Sequence, residues 1–142
     1  MRAIRSKNTL PELRIRRAMH SAGFRYGLHR KDLPGKPDLV FPKYSSVILV
    51  HGCFWHGHHG CQYFKLPVTR AEFWRKKIER NQLNDIKAIK LLIAAGWRVA
   101  VVWECSMKRH EAVADERTTE KLIRWLRGRR KTLILQGQTG AQ

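Results

Sequence analysis

Apolar residues recur along this chain with two spacings, and the switches between them mark out its elements. Leu10, Leu13 and Ala18 fall on one side of a helix. Thr9 can cap that helix, Pro11 lies in its first turn, and Glu12 stands three residues after the cap, as in a capping box. Gly23 ends it. Phe24 to Leu28 predicts a short strand, and Leu33-Pro34-Gly35-Lys36-Pro37 predicts turns leading into Asp38. Asp38 to Phe41 and Ser46 to His51 predict two strands, with Pro42-Lys43-Tyr44-Ser45 as a hairpin loop. Gly52 to Val68 reads as loop. Thr69-Arg70-Ala71-Glu72 is a second capping box, and it opens a long helix that runs to about Ala95 and stops at Gly96. Trp97 to Trp103 is nearly all apolar and predicts a buried strand. Strand, long helix and strand form a crossover unit, so His51 and Trp103 should end parallel neighbours. A last helix is expected from about Glu116 to Arg127, with a disordered tail over residues 137–142. The sum is a small α/β domain with a mixed sheet.

Composition adds a partner. The 142 residues suit one domain, 1–142, and 43% hydrophobic residues are enough for an ordinary core. Lys and Arg number 29 against 11 Asp and Glu, a net charge of +18. An excess that large favours an anionic partner, nucleic acid first, over an inert basic surface. No apolar run approaches the length of a membrane helix, and no secretory signal is read at the start, so a cytoplasmic setting is expected. Three cysteines cannot pair off evenly, which favours metal ligation over disulfides.

The stretch "VHGCFWHGHHGC", residues 50–61, concentrates the chemistry. Cys53, His58 and Cys61 are ligand-type residues close together, and Cys105 follows the strand that should end beside His51. A tetrahedral Zn2+ held by Cys53, His58, Cys61 and Cys105 would be closed and structural. His59 could replace His58, and the plainer alternative is three unrelated thiols. His51 and His56 are then left over, near Asp38 at the start of the adjoining strand. A carboxylate that can hold Mg2+, with histidines that move protons near neutral pH, suits phosphodiester hydrolysis. The plain alternative for Asp38 is a turn cap. Phe54 and Trp55 in the loop, with Trp74 one turn into the long helix, could wedge between base pairs. Core packing is the alternative, and it suits Trp97, Trp103 and Trp125.

"LPGKPDLVFPKY", "VHGCFWHGHHGC", "TRAEFW" and "GWRVAVVWEC" resemble, in order and spacing, the very short patch repair endonucleases, which nick DNA at T:G mismatches in bacteria. The resemblance runs from about residue 1 to residue 110. It implies a restriction-endonuclease-like α/β fold with a structural zinc. It implies a nick 5′ to the thymine of a T:G mismatch, the product of 5-methylcytosine deamination, in the context of a cytosine methyltransferase site. Asp38 matches the Mg2+-binding catalytic aspartate, with the main-chain carbonyl at Val50 as a further ligand. His56 matches the histidine that activates water, and His51 the one on the scissile phosphate. Glu12 and Asp85 match acidic residues that support the site through water or histidine. Cys53, His58, Cys61 and Cys105 match the zinc ligands, and Phe54, Trp55 and Trp74 the intercalating aromatics. Double-stranded DNA is the implied partner, with mismatch-repair proteins beside it and the bacterial nucleoid as the setting. A monomer is expected, because nicking one strand needs one active site. Three departures stand out. Val50 replaces a threonine, Gly60 is an insertion that keeps His58 and His59 both open as ligand, and residues 1–8 form only a short DNA-contacting arm. A zinc-stabilised module that only binds DNA, and a nuclease without mismatch preference, are the rival readings.

Overall fold

The computed structural model describes residues 9–107 and 112–137. The expected arm at 1–8 and residues 138–142 of the expected tail lie outside these residues, whereas Gly137, the first residue of that tail, is tied by its N–H to Cys105 Sγ. The chain runs α1 (Leu10–Ser21), β1 (Gly27–Leu28), β2 (Leu39–Phe41), β3 (Ser46–His51), α2 (Ala71–Ala94), β4 (Arg98–Trp103), α3 (Ala112–Arg127) and β5 (Thr132–Leu135). Among the described residues these strands form one sheet in the order β1-β2-β3-β4-β5. β1, β2 and β3 pair antiparallel, whereas β3, β4 and β5 pair parallel. The sheet is therefore mixed, as expected, and His51 lies opposite Trp103 at the end of the parallel pair.

The side-chain period of two sorts the strands into two cores. Leu39, Phe41, Ile48, Ala100, Val102 and Leu135 face α1 and α3, where Ile15, Met19, Leu122, Trp125 and Leu126 meet them. Val40, Val47, Leu49, Val99 and Val101 face the other way, onto Leu92, Ile89 and Ile93 of α2. The result is three layers, helix on both faces of a sheet, because the parallel strands are apolar on both sides. This is the restriction-endonuclease-like α/β arrangement that the sequence implied.

Several expectations are corrected. Thr9 caps α1 as expected, accepting from the Glu12 N–H. Thr69 does not cap α2: Arg70 occupies the cap position at φ 56° with no side-chain bond, so the second capping box is absent. β1 is shorter than Phe24 to Leu28, because the Phe24 N–H bonds back to the Met19 carbonyl and closes the end of α1. Trp97 is likewise tied to the helix end through the Leu92 carbonyl, so β4 starts at Arg98. α3 starts earlier than Glu116, and β5, unforeseen, follows it. Pro42–Tyr44 is a single 3-10 turn within the hairpin, with Ser45 left-handed at φ 50°. Among the described residues no helix is long and apolar enough to cross a membrane.

Candidate active site and zinc site

A cleft of about 1030 Å³ opens where β2, β3, the loop after β3 and α2 converge. Asp38, Val50, His51, Phe54, Trp55, His56 and Asp85 line it, together with His29 and the cations Lys31, Lys36 and Lys77.

Asp38 stands just before β2, and its carboxylate accepts a 2.7 Å bond from the Val50 N–H across the hairpin. Its neighbours are Glu12, reaching in from the first turn of α1, and His29, just past β1. Glu12 is 1% exposed, and its carboxylate is held by Arg16 Nη2 at 2.5 Å and by His29 Nε2 at 2.6 Å. Burial and the nearby Glu12 carboxylate push the Asp38 carboxyl up to about 7, against the pull of the Val50 N–H. Donor atoms of Glu12, His29 and Asp38 all lie within 4.8 Å of one another. Two crowded carboxylates short of solvent suit a divalent cation.

The two unassigned histidines come together as a second group. His51 and His56 stack face to face, ring centroids 3.9 Å apart and planes 4° from parallel. His56 Nδ1 lies 2.6 Å from Asp85 Oδ2, so Asp85 on α2 fixes that ring. An Nδ1–H donated to the carboxylate leaves Nε2 as the acceptor, the state a general base needs. His51 is buried, with a pKa well below its usual value from burial and from the neighbouring His56 and His58. It is therefore neutral near pH 7 and can donate a hydrogen bond without carrying charge.

Rigidity in the loop comes from α2. Ile78, Asn81, Gln82 and Asp85 fall on one helix face, at spacings of three and four. Asn81 Nδ2 donates to the Trp55 carbonyl and Gln82 Nε2 to the Gly57 carbonyl, each at 2.8 Å. Gly57 has φ +58°, and a Cβ there would overlap the side chains of Ile78 and Gln82. Phe54, Trp55 and Trp74 touch one another, with centroid separations of 5.5 to 5.7 Å, and all are partly exposed. The Lys77 ammonium lies 5.7 Å from the Trp55 ring.

Behind this loop, donor atoms of Cys53, His58, Cys61 and Cys105 lie within 4.8 Å of one another, as a tetrahedral Zn2+ requires. His58 is buried whereas His59 is exposed, which selects between the two residues the sequence left open. His58 stacks flat on Trp103 at 3.9 Å, and its Nε2 bonds Gln136 Oε1 at 2.7 Å, turning Nδ1 toward Cys105 Sγ. The Gly137 N–H donates to the same sulfur at 3.2 Å, and a Cβ at Gly137 would come 2.6 Å from the Cys105 carbonyl oxygen. The Cys53 thiol donates to Cys105, which lowers the Cys105 pKa to about 5 and raises that of Cys53. A bound zinc would deprotonate the ligating thiols and remove that asymmetry. Trp103, read from sequence as core, is also the plate on which His58 rests.

The structure brings Asp38, His51, His56 and Asp85 to the cleft, with Glu12 buried beside Asp38, and Cys53, His58, Cys61 and Cys105 together behind the loop. Sequence reasoning missed His29 and Gln136. His29 follows the two-residue strand β1, and its N–H bonds the Asp38 carbonyl, so a hairpin register carried one residue further would have found it.

Known proteins with related sequences bear on this geometry. The "DNA mismatch endonuclease Vsr" family model matches residues 1–62. The DNA mismatch endonuclease Vsr of Escherichia coli is 44% identical over 128 residues, covering 90% of this chain and 81% of the relative. The chain belongs to the Vsr family. The type II nicking enzyme V.XorIIP of Xanthomonas oryzae is 54% identical over 107 residues, 75% of this chain and 78% of its own length. The type II nicking enzyme V.NmeAIP of Neisseria meningitidis is 42% identical over 124 residues, 87% and 86% of the two chains. Like its Vsr relatives, the chain is a DNA-nicking endonuclease, a hydrolase of phosphodiester bonds that serves DNA repair.

Proposed function

We propose that this Vsr-family endonuclease nicks one strand 5′ to the thymine of a T:G mismatch, in a Mg2+-dependent hydrolysis that begins very short patch repair. The observation that carries the reading is one cleft holding the Asp38 carboxylate, the Asp85-fixed His56 and the partly exposed rings of Phe54 and Trp55, against which Trp74 packs. The name of the Escherichia coli relative, a mismatch endonuclease, supports the substrate class.

Asp38 and the main-chain carbonyl of Val50 would hold the ion, with Glu12 close behind. A divalent ion there supplies charge stabilisation to the phosphate and the leaving oxygen. His56 takes the proton from the attacking water at Nε2, while Asp85 stabilises the imidazolium that forms. His51, neutral and packed against His56, hydrogen-bonds the scissile phosphate. Phe54, Trp55 and Trp74 enter the base stack beside the mismatch, where a weakened pair costs least to open. Cys53, His58, Cys61 and Cys105 hold Zn2+, which fixes the loop that carries both Trp55 and His56.

The test is a nicking assay with Mg2+ on labelled duplexes: T:G in a methyltransferase context, T:G elsewhere, and matched T:A. A nick 5′ to the mispaired thymine is expected, with loss of at least about a thousandfold in Asp38→Ala and duplex binding retained. Equal cutting of all three duplexes would remove the mismatch from the reading. Undiminished nicking by Asp38→Ala would remove the catalytic aspartate.

A further inference from the structure

The cleft contains a third side chain that the reading above leaves without a task. His29 Nε2 lies 2.6 Å from Glu12 Oε2 and 4.0 Å from Asp38 Oδ1. With metal–oxygen distances of about 2.1 Å, neighbouring ligands of an octahedral ion are about 3 Å apart and opposite ones about 4.2 Å apart. The three donors already sit near those separations, within 4.8 Å of one another. The imidazole is held there by the backbone. The His29 N–H bonds the Asp38 carbonyl at 3.2 Å, and His29 adopts φ 47°, a conformation that a residue with a Cβ disfavours. Such a residue persists where its surroundings fix it, and these residues cluster at ligand sites. Arg16 Nη2 supplies one positive charge, 2.5 Å from Glu12 Oε2 and 3.4 Å from His29 Nε2. Asp38, with its side chain 15% exposed, faces Glu12 and feels the same Arg16 charge.

We propose that His29 is a nitrogen ligand of the divalent ion at Asp38, so that Glu12, His29 and Asp38 form a mixed donor set that prefers Mn2+ to Mg2+. The inference rests on the reading of Asp38 as the metal carboxylate and adds a ligand and an ion preference to it. With Glu12 ionised, the 2.6 Å contact needs a proton on His29 Nε2. Ligation needs the other tautomer, with the proton on Nδ1 and the Nε2 lone pair turned to the ion. Mg2+ takes oxygen donors and keeps its waters, whereas Mn2+ binds mixed N/O sites with less loss. An all-oxygen site of Asp38, a carbonyl and waters would lack that discrimination.

The test uses the full, zinc-loaded chain and Mn2+ alone. Free Mn2+ is counted by its paramagnetic resonance signal, and the bound ion is read by electron spin echo modulation for a coupled imidazole nitrogen. The wild type should show that coupling, and 15N-histidine labelling should change its pattern. His29→Gln should lose the coupling and bind Mn2+ about tenfold or more weakly, the least expected of a lost metal partner. Mg2+, measured by competition, should weaken less. His56→Ala should keep the coupling, since His56 is tied to Asp85. A wild-type spectrum without nitrogen coupling, or one indifferent to the 15N label, overturns the proposal even if His29→Gln fails to fold. A folded His29→Gln that keeps the coupling overturns it too, and weaker binding alone would make His29 a support for Glu12. Nitrogen-free Mn2+ that Asp38→Ala removes would sink the His29 ligand and leave Asp38 standing. Mn2+ binding that survives Asp38→Ala would sink both.

Discussion

At the scale of single residues, the tension in this protein is concentrated at Asp38. Its carboxyl is raised from the ordinary 3.8 to about 7, first by burial and then by Glu12. Between those values the folded chain holds a proton that the unfolded chain has released. Stability contributed by the protonated group therefore falls as pH rises from about 4 to about 7. His51, with a lowered pKa, works in the opposite direction, so the difference between two proteins is the cleaner observable. In metal-free chemical denaturation, wild type should lose stability relative to Asp38→Asn as pH rises through that window, and a parallel pair of curves would contradict it. Divalent ions need the ionised form and should bind more tightly above about pH 7. Gly57 is a second sensitive position. Gly57→Ala forces a side chain into a left-handed residue and onto Ile78 and Gln82, and should lower stability by about 1–3 kcal/mol in thermal melts.

At the scale of elements, α2 works as a rack. One of its faces carries the Trp55 and Gly57 carbonyls and the His56 ring through Asn81, Gln82 and Asp85. β2, β3 and β4 were legible because each is a short, nearly continuous apolar run, buried on both faces and bounded by turns or a helix. The end of β5 was not: Thr132–Leu135 is short, follows a run of cations, and lies at the sheet edge with Ile134 61% exposed. The Thr69 capping signal failed because it was local, and the Arg70 backbone answers to the loop before it. His29 and Gln136 went unseen for a shared reason. Each acts across the fold, on partners 17 and 78 residues away, so that only the pairing register of β1 with β2 could have pointed to His29, and no spacing points to Gln136. The long-range tie can be measured. Gln136→Ala should weaken zinc about 10- to 100-fold in competition with a chromophoric chelator, because the other nitrogen of His58 loses its partner.

At the scale of the whole molecule, charge and wedge divide the labour. On the proposed reading, the +18 charge supplies attraction that ignores sequence, whereas the cleft and the aromatic trio would carry the selectivity. Duplex affinity should fall about 10³- to 10⁵-fold between roughly 50 and 200 mM salt if six to ten phosphates are neutralised. The ratio of mismatched to matched binding should change far less over the same range. A ratio that falls along with the affinity, read in a salt titration on T:G and T:A duplexes, would place the selectivity in the charge instead.

The tie between β5 and the zinc donors has a consequence for how the protein is born. Cys53, His58 and Cys61 leave the ribosome long before Cys105, Gln136 and Gly137, which close the same site. Asn81, Gln82 and Asp85 of α2 can hold the loop bearing Trp55 and His56 earlier, but the group behind it is complete only once the last strand is made. A nascent chain can thus hold Asp38 and both histidines and still lack Gln136 and Gly137, the last partners of His58 and Cys105.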